Sequence, residues 1–157
     1  MARKVNRPYP YFPAWDGKRE QPITTKLVEM CGKRYKTRNL GTYVLRPMRN
    51  PQAKGALSVH STGYAADLGA NLKTLQKMWD FFVTNSAALR VSAVHFYKAP
   101  GTTHGMAYRS SRGEGQKGVK LWTATDNGGS GGLWLHIELE EQDPVHWEAE
   151  FRRLKPT

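Results

Sequence analysis

A strand with two chemically different faces is predicted near the C-terminal end of the chain. In residues 133–139, apolar side chains alternate with other types: Leu133, Leu135, Ile137 and Leu139 against Trp134, His136 and Glu138. Because successive side chains in a strand point to opposite sides, the apolar set enters the core and Trp134, His136 and Glu138 share the other face. Any fold of this chain must therefore leave that second face open for a histidine and a glutamate about 7 Å apart.

A second segment places a histidine and a carboxylate on either side of a glycine. Residues 58–67 read SVHSTGYAAD, so His60 precedes Gly63 and Asp67 follows it. Glycine permits a tight reversal that a side chain would hinder, and this allows His60 and Asp67 to converge. Together with His136, they make two imidazoles and one carboxylate, a donor set that suits zinc with one position left for water. Alternatively, Asp67 caps a helix that begins near Asn71.

Length and composition favour a single domain. The chain has 157 residues and a mass of 17.8 kDa. Residues 1–22 are rich in proline and aromatic residues and are predicted to form an extended arm, followed by one domain over residues 23–157. No apolar run approaches the length of a membrane span, and no apolar segment follows the basic start, so neither a signal peptide nor a membrane contact is expected.

The charge is strongly positive and unevenly placed. The net charge is +11, concentrated in the first third of the chain, whereas the last 37 residues are acidic. This distribution favours an anionic partner, such as nucleic acid, an acidic cell-wall polymer or another protein, or else a solvated, solubilising surface. Nucleic acid binding is not expected, because charge alone supports it and no recognition motif does. The single cysteine, Cys31, is predicted to lie in the core.

The remaining pattern predicts an α+β fold with a small, mostly antiparallel sheet and one main helix packed on it. An amphipathic helix is expected over residues 72–83 and a short helix over residues 24–33. Strands are predicted at residues 42–45, 91–97 and 119–123. Residues 101–118 are predicted to be a long polar connection, and residues 127–132 a glycine-rich turn.

The spacing Ser-x-His-x-x-Gly-x-Ala-x-Asp in residues 58–67 resembles the signature of the zinc peptidases related to D-Ala-D-Ala carboxypeptidases and phage L-alanyl-D-glutamate endopeptidases. These share a fold with the hedgehog signalling domain. The resemblance extends over residues 40–140 and implies a hedgehog/DD-peptidase-like fold with Zn²⁺ bound by His60, Asp67 and His136. It also implies that Arg46 or Arg49 contacts the substrate or an oxyanion.

One departure from the family concerns catalysis. Many relatives carry a catalytic acid or histidine three residues before the last zinc histidine, where this chain has Leu133. Glu138 is then the candidate general base, or else a residue that only orients a ligand, and Asp126 is a weaker alternative. The other histidines, His95, His104 and His146, are expected to be packed or solvated. His95 would line the site only if its strand borders that of His136.

The function expected from the resemblance is zinc-dependent cleavage of peptide bonds in bacterial peptidoglycan. A phage lysin or a virion-associated cell-wall hydrolase fits this activity, acting from the phage tail or released from the host cytoplasm to the wall. Peptidoglycan is the expected partner, with other phage virion proteins as further partners. The alternative is a catalytically weak or inactive peptidase-fold protein that has a structural or binding role in a phage tail.

Overall fold

The computed structural model describes residues 18–45, 58–126 and 131–156. Three α-helices are present there: α1 (Pro22–Tyr35), α2 (Leu72–Thr84) and α3 (Pro144–Arg153). Six strands accompany them: β1 (Arg38–Gly41), β2 (Ala65–Gly69), β3 (Val91–Phe96), β4 (Met106–Arg109), β5 (Val119–Leu121) and β6 (Trp134–Leu139). The predicted α+β class is confirmed. None of the described helices combines the length and apolar character that a membrane crossing needs.

The six strands form one antiparallel sheet in the order β1-β2-β6-β3-β4-β5. β6, the last strand in sequence, lies between β2 and β3, so it is covered on both edges by neighbours. One face of the sheet carries the apolar side chains, among them Leu68, Ile137 and Val94, which join the core formed with the helices. The opposite face is left to the polar residues of the same strands.

Helix α2 forms where its apolar spacing predicts it. Asn71 caps its N-terminus, and the Asn71 Oδ1 accepts a hydrogen bond from the Thr74 backbone N–H at 2.8 Å. Asp67 lies in β2 instead, so the interpretation of Asp67 as the helix cap is wrong. Helix α1 is longer than the predicted 24–33, because Pro22 begins it and Lys36, in a left-handed conformation, ends it. Cys31 on α1 is fully buried, as predicted.

The structure corrects four other expectations. Residues 42–45 are not a strand, because β1 ends at Gly41 and the following residues bond to the turn around His60 instead. Strand β4 lies inside the predicted polar connection, where its four residues are too few to show an alternating pattern. Helix α3 was not predicted in the acidic tail. Leu133 precedes β6 and is 47% exposed, so it is not a core residue.

The predicted N-terminal arm begins outside the described residues. Its last part, residues 18–22, lies against the domain: Gln21 is buried, and its backbone N–H donates to the carbonyl oxygen of Gly63 at 3.1 Å. The arm over residues 1–22 and the domain over residues 23–157 otherwise stay a prediction.

Trp147 is expected to be a main stabilising contact of α3. Its side chain is fully buried, stacks on Phe151 at 5.1 Å between ring centroids, and donates from Nε1 to the Leu89 carbonyl oxygen at 3.1 Å. Trp147→Ala should lower the free energy of unfolding by about 3–5 kcal/mol in urea denaturation, because it leaves a cavity and removes a buried hydrogen bond. The matched control is Val145→Ala on the same helix, 75% exposed, which should change it by less than about 0.5 kcal/mol.

Candidate metal centre

The first candidate ligand, His60, lies in a short 3-10 turn spanning Val59–Thr62. The Ser58 hydroxyl oxygen accepts a hydrogen bond from the His60 backbone N–H at 3.3 Å and caps the turn. Gly63 ends it with φ +79°, a conformation that residues with a side chain rarely adopt. A Cβ atom on Gly63 would lie 2.0 Å from the Arg19 carbonyl oxygen. The glycine of the motif is therefore required both by the backbone angle and by close packing.

Two neighbouring segments hold this turn in place. From the start of α1, the Thr24 hydroxyl donates to the Gly63 carbonyl oxygen at 2.6 Å. On the other side, the Ser61 hydroxyl donates to the Val44 carbonyl oxygen at 3.0 Å. His60 itself donates from Nδ1 to the Thr42 carbonyl oxygen at 2.7 Å. Because a carbonyl oxygen only accepts, this bond places a proton on Nδ1, and Nε2 is the ring nitrogen that faces Asp67.

Strand register brings the other two candidate ligands together. Asp67 on β2 lies directly opposite His136 on β6. The Asp67 carboxylate lies between two imidazoles: its Oδ2 is 3.2 Å from His60 Nε2, and its Oδ1 is 3.0 Å from His136 Nδ1. The two rings are 4.8 Å apart between centroids. All three predicted metal ligands therefore converge, although they come from segments about seventy residues apart.

The three residues lie close enough to share one ion. Zinc binds histidine nitrogen and carboxylate oxygen at about 2.0–2.2 Å, which places neighbouring ligand atoms roughly 3.3 Å apart. The observed 3.2 and 3.0 Å are near that separation, but they run to the two different oxygens of Asp67 and are also hydrogen-bond lengths. One ligand atom from each residue lies within 4.8 Å of the other two. His60 and His136 are buried, whereas the Asp67 side chain is 22% exposed, so the group is open to solvent on the Asp67 side. The described residues thus contain a His, Asp, His group that could hold a metal ion.

Glu138 lies on the far side of His136 from Asp67. Its Oε1 is 2.9 Å from His136 Nε2, and its side chain is buried. His136 is therefore held at both ring nitrogens, by Asp67 at Nδ1 and by Glu138 at Nε2. A carboxylate on the second nitrogen of a metal-binding histidine fixes the orientation of the ring and increases its basicity.

The pKa values reflect this arrangement. Burial disfavours the charged form of His136, but hydrogen bonds to Asp67 and Glu138 outweigh it and raise the pKa of His136 to about 9. Burial acts against ionisation of Glu138 as well, yet its hydrogen bond to His136 lowers its pKa to about 2. Burial likewise disfavours ionisation of Asp67, but its hydrogen bonds to His136 and His60 outweigh burial and keep the pKa of Asp67 well below its usual range. The metal-free group is thus two carboxylates around an imidazolium.

Two further residues share the polar face and were missed or given little weight by sequence reasoning. His95 on β3 lies opposite His136, and the two rings stack with centroids 4.6 Å apart. Burial, followed by the charge of His136, keeps the pKa of His95 well below its usual value. Arg109 on β4 pairs with Ala93, which places it on the same face, and its charge helps to lower the pKa of Glu138. The pairing of β3 with β6 satisfies the condition under which His95 was expected to line the site.

The other candidates lie elsewhere. Arg46 and Arg49 fall outside the described residues. Asp126 accepts hydrogen bonds from the backbone and hydroxyl of Thr123 and lies beside Lys120 of β5, at the edge of the sheet. His146 is exposed on α3, and His104 lies in the turn between β3 and β4. Of the predicted site residues in the described part of the chain, the structure gathers His60, Asp67, His136 and Glu138.

Comparison with known proteins adds no further assignment. No protein-family model, curated protein or solved structure significantly matches the chain. The assignment of a metal centre therefore rests on the geometry of the described residues.

Gly63→Ala should disturb both the fold and the metal centre. The new methyl group combines a strained φ with a backbone overlap at Arg19, so the free energy of unfolding should fall by about 2–5 kcal/mol in urea denaturation. Metal affinity, measured by competition with a chromogenic chelator, should fall as well, because His60 is a candidate ligand and moves. Gly32→Ala is the matched control, since no atom of the described residues lies within 4 Å of its Cβ position in α1. It should raise stability by about 0.5–1 kcal/mol and leave metal affinity unchanged. Equal effects of the two substitutions would contradict this role of Gly63.

Proposed function

We propose that this protein is a zinc-dependent peptidase acting on the peptide bonds of bacterial peptidoglycan, in the manner of a phage lysin or a virion-associated cell-wall hydrolase. The observation that supports it most is the convergence of His60, Asp67 and His136, with ligand separations of 3.0 and 3.2 Å. This is the ligand set that the motif of residues 58–67 implies by its resemblance to the zinc peptidases. The α+β fold with a polar sheet face agrees with it, although the hedgehog/DD-peptidase assignment is part of the proposal.

In this proposal His60 binds zinc through Nε2, Asp67 through a carboxylate oxygen and His136 through Nδ1. Zinc in such a His₂Asp site supplies a Lewis acid that polarises a scissile carbonyl and lowers the pKa of a bound water to about 7. The Thr42 carbonyl oxygen keeps His60 in the tautomer that binding needs. Burial of both imidazoles limits their motion, so the ligands are largely pre-positioned.

Glu138 has a positioning role in this proposal. Of the two roles considered for it, general base or orientation of a ligand, the geometry favours the second, because its oxygen contacts the His136 nitrogen that faces away from Asp67. Loss of such a carboxylate usually costs about 10–100-fold in metal affinity or activity. The charge of the chain, +11, suits an anionic cell-wall substrate. Arg46 and Arg49 remain the proposed substrate contacts.

A second candidate function is supported by the residue at position 133. Leu133 occupies the place where many relatives carry a catalytic residue, and it is exposed rather than directed into the ligand group. Among the described residues, the carboxylates in the two potential metal-binding groups are Asp67 and Glu138, and both bond to His136. A peptidase-fold protein of a phage tail that binds peptidoglycan without cleaving it would account for this.

His60→Ala should abolish zinc-dependent release of peptide fragments from purified peptidoglycan, because it removes a ligand. The measurement is the appearance of new amino groups and soluble fragments, with zinc-loaded wild type alongside. Glu138→Gln should lower the rate by about 10–100-fold while retaining zinc. Glu141→Gln, an exposed carboxylate just past β6, is the matched control and should leave the rate unchanged.

The outcomes separate the two candidates. Fragment release by the wild type that His60→Ala abolishes supports the peptidase. A zinc-loaded wild type that sediments with peptidoglycan and releases no fragments supports the binding protein. Release that is unaffected by His60→Ala would show that the activity does not use this metal centre.

A further inference from the structure

His136 faces two acidic environments, and only one of them belongs to the metal centre described above. Its Nδ1 side meets Asp67 and His60, and its Nε2 side meets Glu138. His95 lies over the ring, with centroids 4.6 Å apart and planes inclined by 24°. His95, His136 and Glu138 thus form a second group of two imidazoles and one carboxylate on the same sheet face. The two groups have the same kinds of donor and share one residue.

One pair of atoms in the second group already has the separation expected between two ligands of one metal ion. The three ligand atoms lie within 4.8 Å of one another. Glu138 Oε1 and His136 Nε2 are 2.9 Å apart, close to the roughly 3.3 Å expected between neighbouring ligand atoms on zinc. His95 completes the set only after its side chain moves. Ligand atoms up to 4.8 Å apart must close to roughly 3.3 Å, and the His95 ring must turn out of its stack on His136, because an imidazole nitrogen binds an ion in the plane of its ring.

An unsatisfied atom points independently to a ligand here. The Nε2 atom of His95 is buried and has no hydrogen-bond partner among the residues that the structure describes. A buried polar atom without a partner costs about 1–3 kcal/mol, so such atoms are uncommon unless something else satisfies them. The ring of Trp122 packs beside that of His95 in an edge-to-face arrangement, with centroids 5.0 Å apart. A bound cation would use this nitrogen.

We propose that His95, His136 and Glu138 form a second metal-binding position for the same class of ion, a divalent transition metal such as zinc. The proposal rests on the proposed zinc ligation by His136. A neutral imidazole offers one lone pair, so His136 binds an ion through Nδ1 at the first position or through Nε2 at the second, while its other nitrogen keeps a proton for the remaining carboxylate. The two positions therefore exclude each other.

The two positions differ in access to solvent. The Glu138 side chain is 4% exposed, whereas that of Asp67 is 22% exposed. An ion at the second position would be enclosed by protein and would lack the open coordination place that a hydrolytic site needs. Such an ion would link strands β3 and β6 without supporting hydrolysis. When the ligands of the first position are removed, we expect the ion to bind at the second position instead.

Zinc stoichiometry in ligand variants tests this directly. Wild type, His60→Ala/Asp67→Asn and the same double variant with His95→Ala are dialysed against buffered free zinc, and bound metal is measured by mass spectrometry. We expect one zinc in the wild type, one in the double variant at lower affinity, and loss of binding in the triple variant. Near-UV circular dichroism establishes that each variant is folded. If the double variant does not fold, Asp67→Asn alone replaces it, with and without His95→Ala.

Three results would overturn the proposal: a folded double variant that binds no zinc, a triple variant that binds as well as the double variant, or two zinc ions bound at once by the wild type. Cobalt(II) provides a second readout, since the visible spectrum should change between wild type and double variant as the ligand set changes. Failure of these tests is distinct from failure of the peptidase proposal, which is decided by fragment release from peptidoglycan.

Discussion

The pairing of β2 with β6 is the constraint on which the rest of the site depends. Asp67 lies opposite His136 in this antiparallel pair, and the neighbouring residues Leu68 and Ile137 enter the core. Because side chains alternate, a slip of one residue in either strand would move its ligand into the core and expose a leucine or isoleucine. Burial of apolar side chains on one face thus fixes the position of the ionisable groups on the other, and fold stability and site geometry are set by the same register.

The same register determines the electrostatic environment of His136. It is a buried base with a carboxylate at each ring nitrogen, which raises its pKa to about 9 and lowers that of Glu138 to about 2. The two carboxylates tolerate burial because the imidazolium lies between them. A metal ion at either nitrogen would replace one proton of this ring, so the same contacts that stabilise the metal-free fold are those that prepare the histidine for coordination.

Much of this could be predicted from sequence where the pattern is periodic or the turn chemistry is specific. The alternation in residues 133–139 predicts β6 and its polar face, and Gly63 predicts the reversal between His60 and Asp67. The position of His95 relative to His136 could not be predicted, because its strand shows the same alternation whichever strand it borders. A local pattern does not specify the order of strands in a sheet. Arg109 was missed since β4 is only four residues long. Helix α3 was missed, although Trp147, Phe151 and Leu154 recur at the spacing of a buried helix face.

Whether His60, Asp67 and His136 bind one metal ion is decided by the location of zinc in crystals soaked with the metal, found from anomalous scattering at its absorption edge. We expect a peak about 2.0–2.2 Å from His60 Nε2, an Asp67 carboxylate oxygen and His136 Nδ1. A peak confined to the Nε2 side of His136 in the wild type, beside Glu138, would contradict it. So would a zinc-soaked crystal with no peak at His136.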